Sequence, residues 1–262
     1  MELTQHIAFS LPHLQAVLVI MFRTAGILSA WPVLGSRTLP LQMKIGLVVG
    51  MGLVLAPVLP PMTIPADPLL LSGGIANELL IGLVIGLAVR LVFAALELAG
   101  ELMGTQMGFS VAHLIDPQTF HQTPLIGSFQ TVLASLTFLA MNGHMVVVRA
   151  IAASFEAIPP FTGHLSLPLA DDMLRLAQHM FVVAMQLAAP VLATVLVVNV
   201  LMGVLGRTVP QLNVFVMSFP VTIACGLTVM GVALPYTISL YDREFTGMEE
   251  TVHGLLGMLG HG

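Results

Sequence analysis

Residues 69–103 read LLLSGGIANELLIGLVIGLAVRLVFAALELAGELM. The stretch has 35 residues and carries only four charges, Glu78, Arg90, Glu97 and Glu101. A helix rises ~1.5 Å per residue, and roughly 20 residues cross the ~30 Å hydrocarbon core of a bilayer. This stretch is well beyond that length, and excess length implies tilt, kinks or protrusion. It calls for an all-α membrane protein whose helices do not all cross as simple spans.

The rest of the chain agrees. Of its 262 residues 57% are hydrophobic and 8% charged, and the mean hydropathy is +0.99. Soluble domains average about 25% charged residues, so this chain cannot cover itself with a hydrated surface. The formal net charge is -5 with eight Lys plus Arg. A nucleic-acid groove needs clustered cations to displace counterions, which excludes that class. The single cysteine, Cys225, rules out an intramolecular disulfide. The opening MELTQHIAFS lacks the positive region of a cleaved signal peptide, so the first apolar segment is expected to be retained. Aromatics are 6% of the chain, too few for a full interfacial belt.

Working outward, six helical segments are expected, at about 14–34, 45–62, 69–103, 127–150, 176–205 and 214–238. Pro57, Pro60 and Pro61 close the second, Pro159 and Pro160 follow the fourth, and Pro190, Pro220 and Pro235 are expected kinks. The chain is read as a single domain, 1–262, with a short tail at 241–262. Loop cations do not fix orientation. With the N-terminus outside, Arg37, Lys44 and Arg207 lie inward and Arg149, Arg175 and Arg243 outward, a tie.

Intramembrane charges are costly and often functional. Arg23, Glu78, Arg90, Glu97 and Glu101 all fall within or at the end of apolar helices. Arg90 and Glu97 are seven apart, and Glu97 and Glu101 four apart, hence on nearly one face. A proton path is one reading; a charged seam meeting partner subunits is favoured, because no acidic–basic ladder recurs in the other segments. Glycines spaced by four at Gly46 and Gly50, Gly82 and Gly86, and Gly100, Gly104 and Gly108 allow close helix approach. Asn142-Gly143-His144 reads as a helix irregularity.

Between the third and fourth segments, residues 104–127 read GTQMGFSVAHLIDPQTFHQTPLIG, without lysine or arginine. His113, Asp116 and His121 mix an i, i+3 pair with a third group beyond Pro117, which is not the tight four-ligand set of structural zinc. Ser110 near His113 lacks the Gly-x-Ser-x-Gly elbow and an orienting carboxylate. No catalytic residue, metal or cofactor is expected.

The residues now become recognisable: Arg23-Thr-Ala-Gly, Pro32, Pro40 and Lys44, the Ala-Pro-x-x-Pro at 56–60, Glu78 before Gly82 and Gly86, and AGELMGTQMGFSVAHLIDP at 99–117. Pro124, the Asn-Gly-His at 142–144, Pro190 and GRTVPQLNVFVMSFP at 206–220 complete the order. This order resembles the FliR family of flagellar export-gate proteins, whose counterparts of the SctT type serve virulence type III secretion. The resemblance covers nearly the whole chain.

The resemblance implies a non-enzymatic subunit of a secretion channel in the bacterial inner (cytoplasmic) membrane, at the flagellar basal body. Its long, kinked segments would form tilted hairpins in a helical gate with FliP and FliQ type subunits. FlhB and FlhA type components would complete the apparatus, and unfolded flagellar proteins would pass through it. Residues 104–126 would be a pore plug beside partner methionines. Its contacts would be Met103, Met107, Phe109, Ser110, Val111, His113, Leu114, Ile115, Asp116 and Phe120, hinged at Gly104, Gly108, Pro117 and Pro124. Uncharged apolar side chains suit a seal that excludes water. The alternatives are a virulence export gate, a proton-coupled secondary transporter using Glu78, Arg90 and Glu97, and a passive membrane scaffold.

Overall fold

A computed structural model describes residues 11–31, 40–57, 65, 67–109, 125–163, 167–209, 211 and 213–260. Most of these residues are helical, and there is no strand among them. Eight helices are described: α1 Leu11–Ala30, α2 Leu41–Leu55, α3 Pro68–Met107, α4 Leu125–Ala140, α5 Gly143–Ala157, α6 Leu167–Thr208, α7 Val214–Val232 and α8 Leu234–Gly260. The expected all-α membrane class holds. By length and composition α3 and α6 can each cross a bilayer, and α4 with α5 and α7 with α8 also qualify as bent pairs.

Two expected segments are broken. Between α4 and α5 the chain bends by 71° at Met141 and Asn142. Asn142 takes φ 57, the left-handed conformation that asparagine tolerates best among residues with a side chain. Between α7 and α8 the bend is 57°, at Ala233, two residues before Pro235. Proline disfavours helical geometry in the residue before it and supplies no N–H of its own. Residues 241–260, read as a tail, continue α8. Pro190 and Pro220 lie inside their helices.

Helix starts follow local chemistry. Asp67 Oδ1 accepts the Leu69 N–H at 2.9 Å, with Pro68 at the first helical position of α3. Asn213 caps α7 by accepting the Val216 N–H at 3.3 Å. Within the apolar helices, hydroxyls donate back to their own helix, as Thr131 does to the Gly127 carbonyl and Ser135 to that of Thr131. Those hydroxyls are thereby satisfied without water, whereas the buried Thr24 Oγ1 on α1 has no hydrogen-bond partner among the described residues.

The chain divides into two compact units. One comprises 1–91, 143–176 and 247–262, the other 92–142 and 177–246. In the first, Ile20, Ile27, Ile81, Ile85, Ile151 and Ile158 are fully buried. Here α1 and α3 approach through glycines. A Cβ on Gly26 would lie 2.6 Å from the Leu79 carbonyl oxygen, and one on Gly86 would lie 2.6 Å from that of Ile27. One on Gly82 would fall on the Arg23 carbonyl. In the second unit the rings of Phe93, Phe138 and Phe245 meet with centroids 5.1–5.3 Å apart. Beside them the Tyr241 hydroxyl donates to Gln130 Oε1 at 2.5 Å.

The glycine contacts separate the expected spacings. Gly82 and Gly86 are in tight backbone contact, whereas nothing lies within 4 Å of a Cβ built on Gly46 or Gly50. We therefore expect Gly26→Val to destabilise the chain by about 1–3 kcal/mol through overpacking. Gly50→Ala should instead be neutral or stabilising by up to about 1 kcal/mol from helix propensity. Unfolding of the detergent-solubilised chain, followed by circular dichroism, measures both.

Candidate functional site

Two places in the structure gather the residues singled out above, one in each unit. The first begins with Arg23 on α1 and Glu78 on α3, both with fully buried side chains. Arg23 Nε donates to Glu78 Oε2 at 2.6 Å. Its Nη1 donates to the carbonyls of Ser154 and Ile158 at 2.6 and 2.9 Å. The guanidinium also lies 4.2 Å from the centroid of the Phe155 ring, a favourable cation–π placement.

Those carbonyls are where α5 ends. A helix leaves its last four carbonyls without internal donors, and its C-terminus carries partial negative charge. Arg23 supplies both the donors and the positive charge. Glu78 completes the arrangement from the other side, where its Oε1 accepts the Phe161 N–H at 2.9 Å. Phe161 has φ 68, a left-handed conformation that is unusual for an aromatic residue. Its ring packs where a Cβ on Gly74 would stand, so only glycine fits there. Next to Glu78, Asn77 Nδ2 donates to the Gly163 carbonyl at 2.8 Å. Adjacent residues of α3 thus hold the turn that follows Pro159 and Pro160.

The remaining charges stand apart. Arg90 and Glu97 are exposed and Glu101 is half-buried. Among the described residues none of the three forms an ion pair. The charged positions therefore divide into one closed pair and three outward or partly outward groups. Both Glu78 oxygens are already engaged.

The second place is the stem of the long loop. Met103 and Met107, near the end of α3, are buried. Thr222 on α7 donates to the Met107 carbonyl at 3.1 Å. A Cβ on Gly226 would lie 2.6 Å from Met107 Cε, so α7 presents a glycine to the methionine. Helix α3 ends at Gly108, whose φ of +94 is accessible to glycine at little cost. There a side chain would also meet the Phe219 ring, at 2.8 Å. Phe109 is half-buried. Gly104, expected as a hinge, lies inside α3 and faces Ile126. Beside this stem Gly100 and Gly127 bring α3 and α4 into contact, a Gly100 Cβ falling 2.6 Å from the Gly127 Cα. The plug positions Ser110, Val111, His113, Leu114, Ile115, Asp116, Pro117, Phe120 and Pro124 lie outside the described residues, as does His121.

Sequence reasoning missed the Tyr241–Gln130 hydrogen bond and a further polar group. His179 Nε2 and Glu244 Oε2 are 2.8 Å apart, joining α6 to α8, and Arg243 Nη2 approaches the same carboxylate at 3.3 Å. The residues are 65 apart, so no helical spacing relates them. Among the described residues no group of three or more His, Cys, Asp or Glu is arranged to hold a metal ion.

The pair carries a direct test. Arg23→Met leaves Glu78 buried without its charge partner and should cost about 3–5 kcal/mol. Combining it with Glu78→Gln should recover part of that loss, giving a coupling energy in a double-mutant cycle of unfolding. Additivity of the two single effects would show that the pair is not coupled.

Residues 14–248 match the family described as bacterial export proteins, family 1. The flagellar biosynthetic protein FliR of Bacillus subtilis (strain 168) is 32% identical over 254 residues, covering 94% of this chain and 96% of its own length. FliR of Pectobacterium carotovorum subsp. carotovorum is 33% identical over 241 residues, 90% of this chain and 91% of its own. FliR of Escherichia coli (strain K12) is 30% identical over 230 residues, 86% and 87% respectively. With its helical, apolar architecture and a match along nearly its whole length, the chain belongs to the bacterial export proteins of family 1, the family of the flagellar biosynthetic protein FliR.

Proposed function

We propose that the chain is a structural, gating subunit of the flagellar type III protein export gate. The observation that carries this is the family match over residues 14–248, which takes in the ion-pair knot, the loop and both of its stems. The relatives named above are flagellar biosynthetic proteins, which favours flagellar export over virulence secretion. On this reading the chain works as one functional unit in the bacterial inner membrane, at the flagellar basal body. It assembles there with FliP and FliQ type subunits and with FlhB and FlhA type components. It conducts unfolded flagellar proteins and catalyses no reaction.

Residues 104–126 serve as the plug. The stem geometry supports this role. Met103 and Met107 are fixed by packing, Thr222 ties down the last turn of α3, and Gly108 lets the chain leave the helix. Gly108 is the better placed of the two glycine hinges, because Gly104 is helical. Between substrates, the apolar residues Phe109, Val111, Leu114 and Ile115 close the path by excluding water. Arg90, Glu97 and Glu101 are the charged positions left to meet neighbouring subunits. The engagement of both Glu78 oxygens weighs against a transporter that cycles a proton there.

Two measurements test the proposal. Deletion of the gene should abolish swimming, and restoring the wild-type chain should recover it; a swimming deletion strain overturns the flagellar assignment. Removing residues 109–116 should leave the chain membrane-inserted and associated with its small helical partners while raising ion conductance. Unchanged conductance with intact assembly would exclude the plug.

A further inference from the structure

Threonines inside the apolar helices donate back to their own backbone, as Thr194 does to the Pro190 carbonyl at 2.9 Å and Thr228 to that of Ala224 at 2.7 Å. Thr222 has a further choice. Its buried Oγ1 lies 3.0 Å from the carbonyl oxygens of Ser218 and Phe219 on its own helix. It also lies 3.1 Å from that of Met107, across on α3. A hydroxyl carries one proton and rotates to suit its neighbours, so a single donor stands before three acceptors at nearly equal distance.

The two ends of the Thr222–Met107 bond are unequal. Met107 is the last residue of α3, where carbonyls have no donor from their own helix. If the end of α3 withdraws, Thr222 turns to Ser218 or Phe219 and keeps a partner. Only the Met107 carbonyl loses one, so release costs less than parting two groups that both go bare. Two further contacts share this face of α7, because positions 219, 222 and 226 are three and four apart. The Phe219 ring stands where a Gly108 side chain would be, and Gly226 leaves the space that Met107 fills. Pro220 lies between them and has no N–H to offer the Val216 carbonyl, which loosens the first turns of α7.

We propose that the Phe219–Thr222–Gly226 face of α7 is a release catch for the end of α3, with Thr222 as its positioning residue. In the held state the hydroxyl donates to Met107, the methionine fills the Gly226 notch, and the backbone leaves the helix at Gly108. In the released state the proton returns to α7 and the last turn of α3 frays. The catch is a property of the α3–α7 contact; its use in gating rests on the reading of residues 104–126 as the plug.

Hydrogen exchange of the full-length chain in mild detergent, read by mass spectrometry, tests the catch without reference to export. Thr222→Val keeps the shape of the side chain and removes the donor. It should speed exchange of the amides at 105–109 by about threefold to tenfold, the change expected for one lost hydrogen bond, and leave those at 224–230 as they were. Thr222→Ser should restore the wild-type rate. Gly226→Ala, which displaces Met107, should speed the same amides, and adding Thr222→Val to it should change little, because the released hydroxyl no longer serves Met107. Wild-type exchange in Thr222→Val, failure of Thr222→Ser to rescue, or acceleration throughout α7 overturns the hold on Met107. Additive effects of Thr222→Val and Gly226→Ala overturn the two-position release. Ion conductance separates the catch from the plug. Where removal of residues 109–116 raises conductance, Thr222→Val should raise it too, and Thr222→Val with faster exchange but unchanged conductance overturns the link to gating. Unchanged conductance on that removal overturns the plug, while the exchange rates still decide the catch.

Discussion

A guanidinium buried among isoleucines has few ways to exist, and Arg23 uses several of them together. It meets a carboxylate, two carbonyls at a helix end and an aromatic face. Desolvating both charges is expensive, and their attraction offsets this only when the remaining donors and acceptors are also engaged. The geometry of the first unit goes most of the way to meeting that requirement, with Arg23 Nη2 left without a hydrogen-bond partner among the described residues. Helix α1 must approach α3 closely enough for the pair to form, which is why Gly26, Gly82 and Gly86 replace larger residues at the crossing. The end of α5 must arrive at the same point, which fixes the turn through Phe161 and its left-handed backbone.

The second unit is organised by packing with one polar tie. Three phenylalanines from α3, α4 and α8 interlock beside the Tyr241–Gln130 hydrogen bond. At the end of α3, Gly226 on α7 admits the buried Met107, and the chain then leaves the helix at Gly108. Much of both units remains apolar and exposed, including Leu196, Val197, Val200 and Leu201 on α6 and Phe129, Val132 and Leu136 on α4. Such surfaces belong against lipid or neighbouring subunits, consistent with a membrane-embedded family member.

Helical content, the length of α3 and the closeness signalled by Gly82 and Gly86 were legible in the sequence because each is a short-range property. Spacing by four reports which residues share a face. It cannot report whether that face has a neighbour, so Gly46 and Gly50 looked the same and yet face open space. Arg23 and Glu78 were both conspicuous as charges in apolar helices, but helical periodicity relates residues within one helix. The pairing spans 55 positions, and it also depends on α5 ending where it does. An arginine enclosed by apolar residues does demand an acid, and that demand was the available clue. The break at Asn142 was foreshadowed by Asn-Gly, whereas the Tyr241 and His179 contacts left no local trace. Family resemblance, carried by the blocks at 99–117 and 206–220, reached the functional class that spacing could not.

The knot has a bearing on how the chain is made. Its parts lie at 23, 78, 154–158 and 161, so they leave the ribosome in widely separated order. Arg23 of α1 cannot meet Glu78 until α3 emerges, and the helix-end carbonyls come later still. During that interval an apolar helix carries a cation without its native partners, which would be costly in hydrocarbon. Its secure placement therefore waits for later sequence. Translation arrested between residues 78 and 154 would yield an intermediate with its ion pair available but its helix-end partners still unsynthesised, which makes early insertion of this chain provisional.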